Sequence, residues 1–152
     1  MKLKHKIVGL LLAISLLSGY IAWPFMQPVK IIAIHRDGDY SSILVKNFPL
    51  TDRGKITWWL QNKESIKKRY SIPEPASYGS YTIIFWDFGD GYKEEEKYDR
   101  LCFTDIASKK NCIEKNKLMT IYKYNDEEPL FSFNDRRYRI NTHDDTIKLH
   151  NK

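Results

Sequence analysis

The sequence lacks the short motifs on which most enzyme sites are built. It contains no GxSxG, HExxH, GxxxxGKS/T, GxGxxG or CxxC pattern, so the common serine hydrolase, zinc peptidase, nucleotide-binding and dithiol sites have no support. Glycine and proline are scarce, at 7 and 6 of 152 residues, which excludes collagen-like and low-complexity chains. The sequence therefore predicts a folded chain with no cofactor and no enzymatic activity.

A strong excess of one charge sign is also missing from the folded part. The net charge is +6, and half of it comes from Lys2, Lys4 and Lys6. A nucleic-acid-binding protein concentrates its basic side chains on one face, so we expect no nucleic-acid partner. The basic and aromatic clusters Lys67–Tyr70 and Arg136–Arg139 fit an exposed surface, with anionic lipid or an acidic protein as alternative partners.

A long apolar run follows the basic tip of residues 1–6. Residues 7–26 carry no charged side chain, and a helix of this length crosses the hydrocarbon core of a bilayer, about 30 Å thick. Tyr20 and Trp23 lie near its end, where aromatic rings favour the membrane interface. The pattern predicts an uncleaved transmembrane anchor that makes the membrane one partner. A cleaved signal peptide is the alternative, although a cut after Ala22 would leave Tyr20 where a small residue is needed.

The lysines of the tip also predict the orientation of the chain. Basic residues before a first span hold the amino terminus in the cytoplasm, so we expect a single-pass inner-membrane protein whose residues 27–152 form one periplasmic domain. Cys102 and Cys112 are the only cysteines, and an even count in an oxidising compartment predicts a disulfide. Two free thiols forming half of a zinc site are the alternative.

Beyond the anchor, turn signals alternate with β-branched runs and one helical pattern. Asp37-Gly38 predicts a hairpin turn between the first two strands. Thr51 offers an N-cap, and the apolar residues after it predict a helix over residues 52–69. Strands are predicted over residues 29–35, 42–46, 81–88, 100–104, 118–124, 130–133, 138–141 and 146–150. The predicted fold class is α+β, with an amino-terminal transmembrane helix and a small mixed domain of short antiparallel strands around one main helix.

Residues 86–91, Trp-Asp-Phe-Gly-Asp-Gly, resemble the signature turn of PKD-type β-sandwich domains. The His-x-Tyr that follows in that family is missing, since Tyr92 leads into Lys-Glu-Glu-Glu. We interpret the segment as a β-turn that needs glycine at two positions of positive φ. Asp87 and Asp90 offer oxygen ligands, but their spacing is not that of a calcium loop, so no metal is predicted here.

Five residues are candidate contacts for a protein partner in the cell envelope. Two adjacent tryptophans on the predicted helix point about 100° apart, so one is free to anchor a partner unless a wide apolar stripe buries both. The other three surround the predicted turn. The candidates are Trp58, Trp59, Asp87, Asp90 and Tyr92.

A catalytic or zinc-binding histidine is the less favoured alternative. His143 beside Asp144 has the residue types of a general base and its orienting carboxylate, but its context indicates no nucleophile. His143 and His150 together with the two cysteines have the right ligand types for zinc, at an unfamiliar spacing.

Several segments also carry a family resemblance. They are Lys46–Pro49, Thr51–Leu60, Ile83–Tyr92, and Cys102 together with Cys112 to Met119. With the basic tip and the apolar span before them, they resemble the enterobacterial putative membrane proteins grouped as domain of unknown function 943. The resemblance implies a single-pass envelope protein of no established activity, without assigned catalytic residues.

These observations predict a non-catalytic envelope protein that binds another protein. One such protein would be an immunity protein that neutralises a toxin. The first alternative is an accessory or sensor subunit of a membrane complex, in which small residues of the span allow close helix packing. These residues are Gly9, Ala13, Ser15, Ser18 and Gly19. The second alternative is an enzyme acting on the cell wall or on lipid.

Overall fold

A long helix at the amino terminus precedes a β-rich remainder. The computed structural model describes residues 2–23, 27–96, 99–141 and 146–149. Helix α1 covers Lys2–Ala22, and its window His5–Ala22 is long and apolar enough to cross a membrane, with none of it buried against the described chain. The helix begins inside the predicted basic tip, and residues 24–26 of the predicted span lie outside the described residues.

The described residues after α1 form one main sheet, one helix and one small sheet. The main sheet has seven strands in the order β1-β2-β3-β7-β8-β9-β10, and the small sheet has three in the order β4-β6-β5. The elements are β1 Lys30–Asp37, β2 Tyr40–Lys46, α2 Asp52–Tyr70, β3 Tyr81–Asp87, β4 Lys93–Glu94, β5 Arg100–Cys102, β6 Lys110–Glu114, β7 Lys117–Lys123, β8 Leu130–Phe133, β9 Arg136–Asn141 and β10 Thr146–Leu149.

The termini of α2 follow from its sequence. Thr51 is the N-cap, and its side-chain oxygen accepts a hydrogen bond from the backbone N–H of Gly54 at 3.0 Å, which satisfies one of the unpaired donors of the first turn. Ser71 ends the helix in the left-handed conformation, and its N–H donates to the carbonyl of Lys67. The predicted helix is thus confirmed, one residue longer than expected.

One face of α2 packs on one face of the main sheet. Ile56, Trp59 and Ile66 are buried at helical spacing and join the sheet residues Ile43, Val45, Ile83, Phe85, Met119, Ile121 and Phe131 in the larger hydrophobic core. Removing this apolar area from water is the main favourable contribution to folding. The core therefore lies between α2 and the middle strands.

The small sheet covers part of the opposite face of the main sheet. Leu44 of β2 contributes to a second core there with Phe103 and Ile113. Cys102 and Cys112 are register partners on β5 and β6 and are joined by the predicted disulfide. The first half of the main sheet is thus covered on both faces.

The β2-α2-β3 segment is a parallel crossover. Tyr40 to Val45 of β2 pair in parallel with Thr82 to Asp87 of β3, while β1 and β2 form the predicted hairpin, with Lys30 opposite Lys46. The ends of β2 and β3 therefore lie at the same end of the sheet as the start of β1. We call this the anchor-proximal end, because α1 precedes β1, and the opposite end the distal end.

The predicted α+β class is confirmed, and most strand pairs are antiparallel, as expected. The strongly apolar β3 lies inside the sheet between β2 and β7, and the last strands form the predicted meander. Strands β4 and β6 and the parallel pairing of β2 with β3 were not predicted from the sequence.

Candidate functional site

The two adjacent tryptophans of α2 contribute to different surfaces. Trp59 is only 3% exposed and packs edge-on against Phe85 at a ring distance of 5.9 Å. Trp58 is half-buried and packs edge-on against Phe48 at 5.2 Å. The helix has a stripe wide enough to hold both rings against the core, yet each ring also lines one of two separate surface cavities.

The larger cavity is a groove beside α2, over the β8 and β9 side of the main sheet. Its volume is about 1000 Å³, at the upper end of the range typical of ligand pockets. Its apolar part is formed by Trp59, Leu60, Tyr81, Phe131 and Ile140, and its polar part by Gln61, Lys63, Glu64, Lys67 and Glu128, with Pro73, Pro75 and Pro129 completing the lining. We call this cavity the α2 groove.

Charges of both signs surround the apolar floor of the α2 groove. Lys63 and Glu64 come from the exposed side of α2, and Glu128 comes from the loop before β8. Burial and the nearby Glu128 carboxylate raise the pKa of Tyr81 above its usual value. The Tyr81 phenol therefore stays protonated at neutral pH and is available as a hydrogen-bond donor. A floor of rings with a rim of mixed charge suits a peptide better than a polyanion.

The smaller apolar cavity lies at the anchor-proximal end. Its volume is about 780 Å³, and its lining is mostly apolar. Trp58 forms one side, and the segment between β2 and α2 forms the other, including Leu50, which is 75% exposed. Gln27 and Pro28, which precede β1, complete the rim.

The turn after β3 has a local structural role. Asp87 accepts hydrogen bonds from the backbone N–H of Gly89 at 3.2 Å and from the side chain of Asn116 at 3.3 Å. Gly89 and Gly91 have φ angles of 49° and 96°, as expected for a turn that requires glycine. Asp90 is highly exposed and lies 3.7 Å from Lys93. The two aspartates therefore have different partners and do not form a shared binding site.

Tyr92 belongs to a network that the sequence analysis did not identify. Its hydroxyl lies 2.8 Å from Nε2 of His35, and Nδ1 of the same ring lies 2.7 Å from the Asp105 carboxylate. The His35 ring is 9% exposed and stacks on Phe103 at a centroid distance of 3.8 Å. His35 lies on β1, and its partners come from the segments around the small sheet. The network therefore links the two sheets.

The network fixes the His35 ring in one orientation. Burial and the nearby Asp105 charge raise the pKa of Tyr92, whereas an activated phenol nucleophile needs a lowered pKa. Both ring nitrogens of His35 have a hydrogen-bond partner. This arrangement orients the His35 ring between Asp105 and Tyr92.

The small sheet is also held together by charge. Glu114 on β6 accepts hydrogen bonds from Lys93 on β4 and from Arg100 on β5, both at 3.1 Å. These two bonds are the main reason that the pKa of Glu114 is lowered. One carboxylate thus links all three strands of the small sheet.

The structure bears on only part of the remaining histidine and metal hypotheses. His143, Asp144 and His150 lie outside the described residues. Cys102 and Cys112 form a disulfide rather than half of a zinc site. Within the described ranges, no group of three or more His, Cys, Asp or Glu side chains is placed to hold a metal ion.

Sequence reasoning missed two parts of the site for the same reason. The α2 groove combines residues of α2 with residues near β3, β8 and β9, and the His35 network joins residues 57 and 70 positions apart. One signal was available for His35. It follows Ala33 by two positions on a strand, so it shares a face with an inward-pointing residue.

The comparisons with known proteins agree with the apolar helix. The family model described as "Enterobacterial putative membrane protein (DUF943)" matches residues 1–150. No curated protein and no solved structure matched the chain. Because the family match covers nearly the whole chain, this protein belongs to the enterobacterial membrane protein family DUF943.

Proposed function

We propose that the chain is a non-enzymatic binding module, anchored in the inner membrane by an uncleaved α1, whose periplasmic domain holds a segment of another envelope protein. The α2 groove is the observation that carries this proposal. It combines a volume of about 1000 Å³ with a floor of aromatic and aliphatic side chains and a rim of both charge signs. Interfaces of this type place an apolar centre inside a polar rim.

The position of the α2 groove supports a partner that approaches from above the membrane. Pro73 and Pro75 follow the carboxy-terminal end of α2, and Tyr81 begins β3, so this part of the lining lies at the distal end. A soluble or membrane-bound partner reaches this end without displacing the anchor. One specific version of this proposal is that the chain is an immunity protein that neutralises a toxin. Identifying the partner tests this version.

The proposal of no enzymatic activity is supported by the state of the polar side chains. The His35 ring is nearly buried and stacks on Phe103. Its two nitrogens are hydrogen-bonded to Asp105 and Tyr92. Its neighbour Tyr92 has a raised pKa. The lining of the α2 groove includes no histidine or cysteine, the residue types that most often act as general base or nucleophile.

A crosslinking experiment tests the proposed partner site. A photoreactive amino acid at Gln61, which is exposed on the rim of the α2 groove, is expected to capture one envelope protein in the native host. The same group at Tyr122, which is 43% exposed on the main sheet away from the α2 groove, is the positional control. Capture of the same protein with equal yield from both positions would contradict the proposed site.

A charge reversal on the rim provides a second readout. Lys63→Glu changes a groove residue, and Lys68→Glu changes an exposed lysine on the same helix outside the groove. We expect Lys63→Glu to reduce recovery of the partner and Lys68→Glu to leave it unchanged. If neither variant changes recovery and no crosslink forms at position 61, the α2 groove is not the binding site.

The alternative of an accessory subunit rests on α1 itself. Nothing lies within 4 Å of a Cβ built at Gly9 or Gly19, so both positions are open to close approach by another helix. Replacing residues 7–23 with an unrelated span distinguishes the two hypotheses. A groove-binding module keeps its partner after the exchange, whereas a subunit held through its span loses it.

A further inference from the structure

We propose that the anchor-proximal end of the domain rests on the surface of the bilayer that holds α1. The contact surface, called here the juxtamembrane face, consists of the smaller apolar cavity with Leu50 and Trp58, together with the basic residues Lys30, Lys46 and Arg53 at the same end of the domain. Its proposed occupant is the lipid headgroup layer of the same membrane. This inference rests on the anchor and is independent of the partner proposed for the α2 groove.

The length of the connecting chain limits how far this face can lie from the membrane. Trp23 is 68% exposed at the end of α1, in the position that aromatic residues take at the membrane interface. Gln27 already lines the cavity. Four steps of 3.80 Å separate the two Cα atoms by at most about 15 Å. By contrast, α2 extends about 28 Å from this end, at 1.5 Å per residue.

The apolar part of the face is exposed although the domain has a well-filled core. Leu50 is 75% exposed, while Phe48, two residues before it, is only 9% exposed. Pro28 is also exposed on the same rim, and the half-buried Trp58 lines the cavity behind it. A leucine beside a tryptophan is the combination found where proteins enter the headgroup layer.

Basic residues lie at the same end of the domain as the apolar tip. Lys30 and Lys46 are both exposed and lie directly opposite each other on β1 and β2. Like charges at facing positions destabilise a strand pair, unless an anion lies between them. Arg53, in the first turn of α2, is exposed as well. The Lys46 ammonium lies 5.5 Å from the centroid of the Phe88 ring and remains exposed. Lipid phosphates at this height attract all three cations, so the charge at this end agrees with the tether length and the apolar tip.

The test measures whether position 50 contacts lipid in the full-length chain. The variant Leu50→Cys carries a nitroxide label in nanodiscs that contain no other protein, with the Cys102–Cys112 disulfide intact. Tyr78→Cys is the matched control, because Tyr78 is 62% exposed and precedes β3 at the distal end. We expect oxygen to reach the label at position 50 more readily than a water-soluble nickel complex does, and the reverse at position 78.

Lipid composition and the lysines separate the charge contribution from the apolar one. The contact is expected in phosphatidylcholine and to strengthen when phosphatidylglycerol is added. Lys30→Gln and Lys46→Gln are each expected to lower the docked-to-free ratio about 5-fold in the anionic nanodiscs, and Lys68→Gln on the exposed side of α2 to leave it unchanged.

Two results would overturn the proposal. The first is equal water accessibility at positions 50 and 78 in both lipid mixtures. The second is a label at position 50 that contacts water in nanodiscs but is shielded in native membranes, which would assign the face to a protein partner instead.

Discussion

His35 joins the two sheets through hydrogen bonds and a ring contact. It lies on β1 of the main sheet, and its ring bonds to Asp105 and Tyr92 and stacks on Phe103, all from the part of the chain that forms the small sheet. A buried polar group with all its partners fixes one arrangement of the layers, because any shift leaves a donor or acceptor unpaired.

Replacing His35 with phenylalanine tests this role. His35→Phe keeps a ring for stacking on Phe103 and removes both hydrogen bonds, so we expect the free energy of unfolding to fall by about 1–3 kcal/mol. Tyr92→Phe removes one of the two bonds and should cost less. Urea unfolding of the chain in detergent micelles, followed by tryptophan fluorescence, measures both. Equal stability of His35→Phe and the parent chain would show that the network does not hold the layers together.

Glu114 predicts a dependence of stability on pH. Hydrogen bonds from Lys93 and Arg100 lower the pKa of this carboxyl below its usual value of 4.5. Because the folded-state pKa is the lower one, the contribution of this carboxylate is present above pH 4.5 and is lost as the pH falls through the folded-state value.

We therefore expect the urea midpoint of the parent chain to fall more steeply below pH 4.5 than that of Glu114→Gln. The two chains share every other carboxylate, so the difference between the two pH profiles isolates this group. Parallel profiles would contradict the assignment.

At the scale of elements, the structure of the N-terminus of α2 predicts an unusual effect of replacing Gly54. Gly54→Ala inside a helix is ordinarily stabilising, by about 1 kcal/mol. Here a Cβ at position 54 would lie 2.8 Å from Oγ1 of the Thr51 cap and 3.1 Å from Cβ of Pro49. The cap hydrogen bond would have to break or shift, at a cost of about 1 kcal/mol.

We expect Gly54→Ala to give no gain in stability in the parent chain. In a Thr51→Ala background the oxygen is absent, and the same substitution should become more favourable. A double-mutant cycle in urea measures the difference between the two backgrounds. Additive effects would show that the cap and position 54 do not interact.

The disulfide stabilises the small sheet by reducing the conformational entropy of the unfolded chain. Its cysteines are 10 residues apart, and closing a loop of this size stabilises the folded state by about 2–3 kcal/mol in the chain-entropy model. Replacing both cysteines with alanine should lower stability by that amount and increase hydrogen exchange over residues 93–114. Unchanged exchange in the main sheet is the internal control, and unchanged exchange in both sheets would contradict the prediction.

Local sequence signals predicted the elements well and their long-range pairing poorly. The Asp37-Gly38 turn, the Thr51 cap and the apolar run of β3 are visible within a few residues, and all three appear in the structure. The pairing of β2 with β3 joins strands on either side of α2. The short β6 combines one buried cysteine and one buried isoleucine with polar neighbours, which is too weak a pattern to predict a strand. The α2 groove was missed because its lining comes from distant parts of the chain.

For the whole molecule, the predicted orientation leads to a direct test. With the amino terminus in the cytoplasm, a carboxy-terminal alkaline phosphatase fusion should be active and a green fluorescent protein fusion dark, because each reporter works on only one side of the inner membrane. Moving the three lysines of the tip to positions after the span should reverse both signals. The opposite pattern in the parent chain would place the domain in the cytoplasm and remove the oxidising compartment assumed for the disulfide.

The connection between the small sheet and the main sheet predicts where chain length varies within the family. The backbone N–H of Asp87, at the end of β3, donates to the carbonyl of Asn116, just before β7, at 2.9 Å. The segment between them is therefore a closed appendage with its two stems in contact. Insertions and deletions within residues 88–116 do not change the distance that the main sheet must bridge. We expect the lengths of family members to differ mainly in this appendage, while the spacing from β2 through α2 to β3 stays constant.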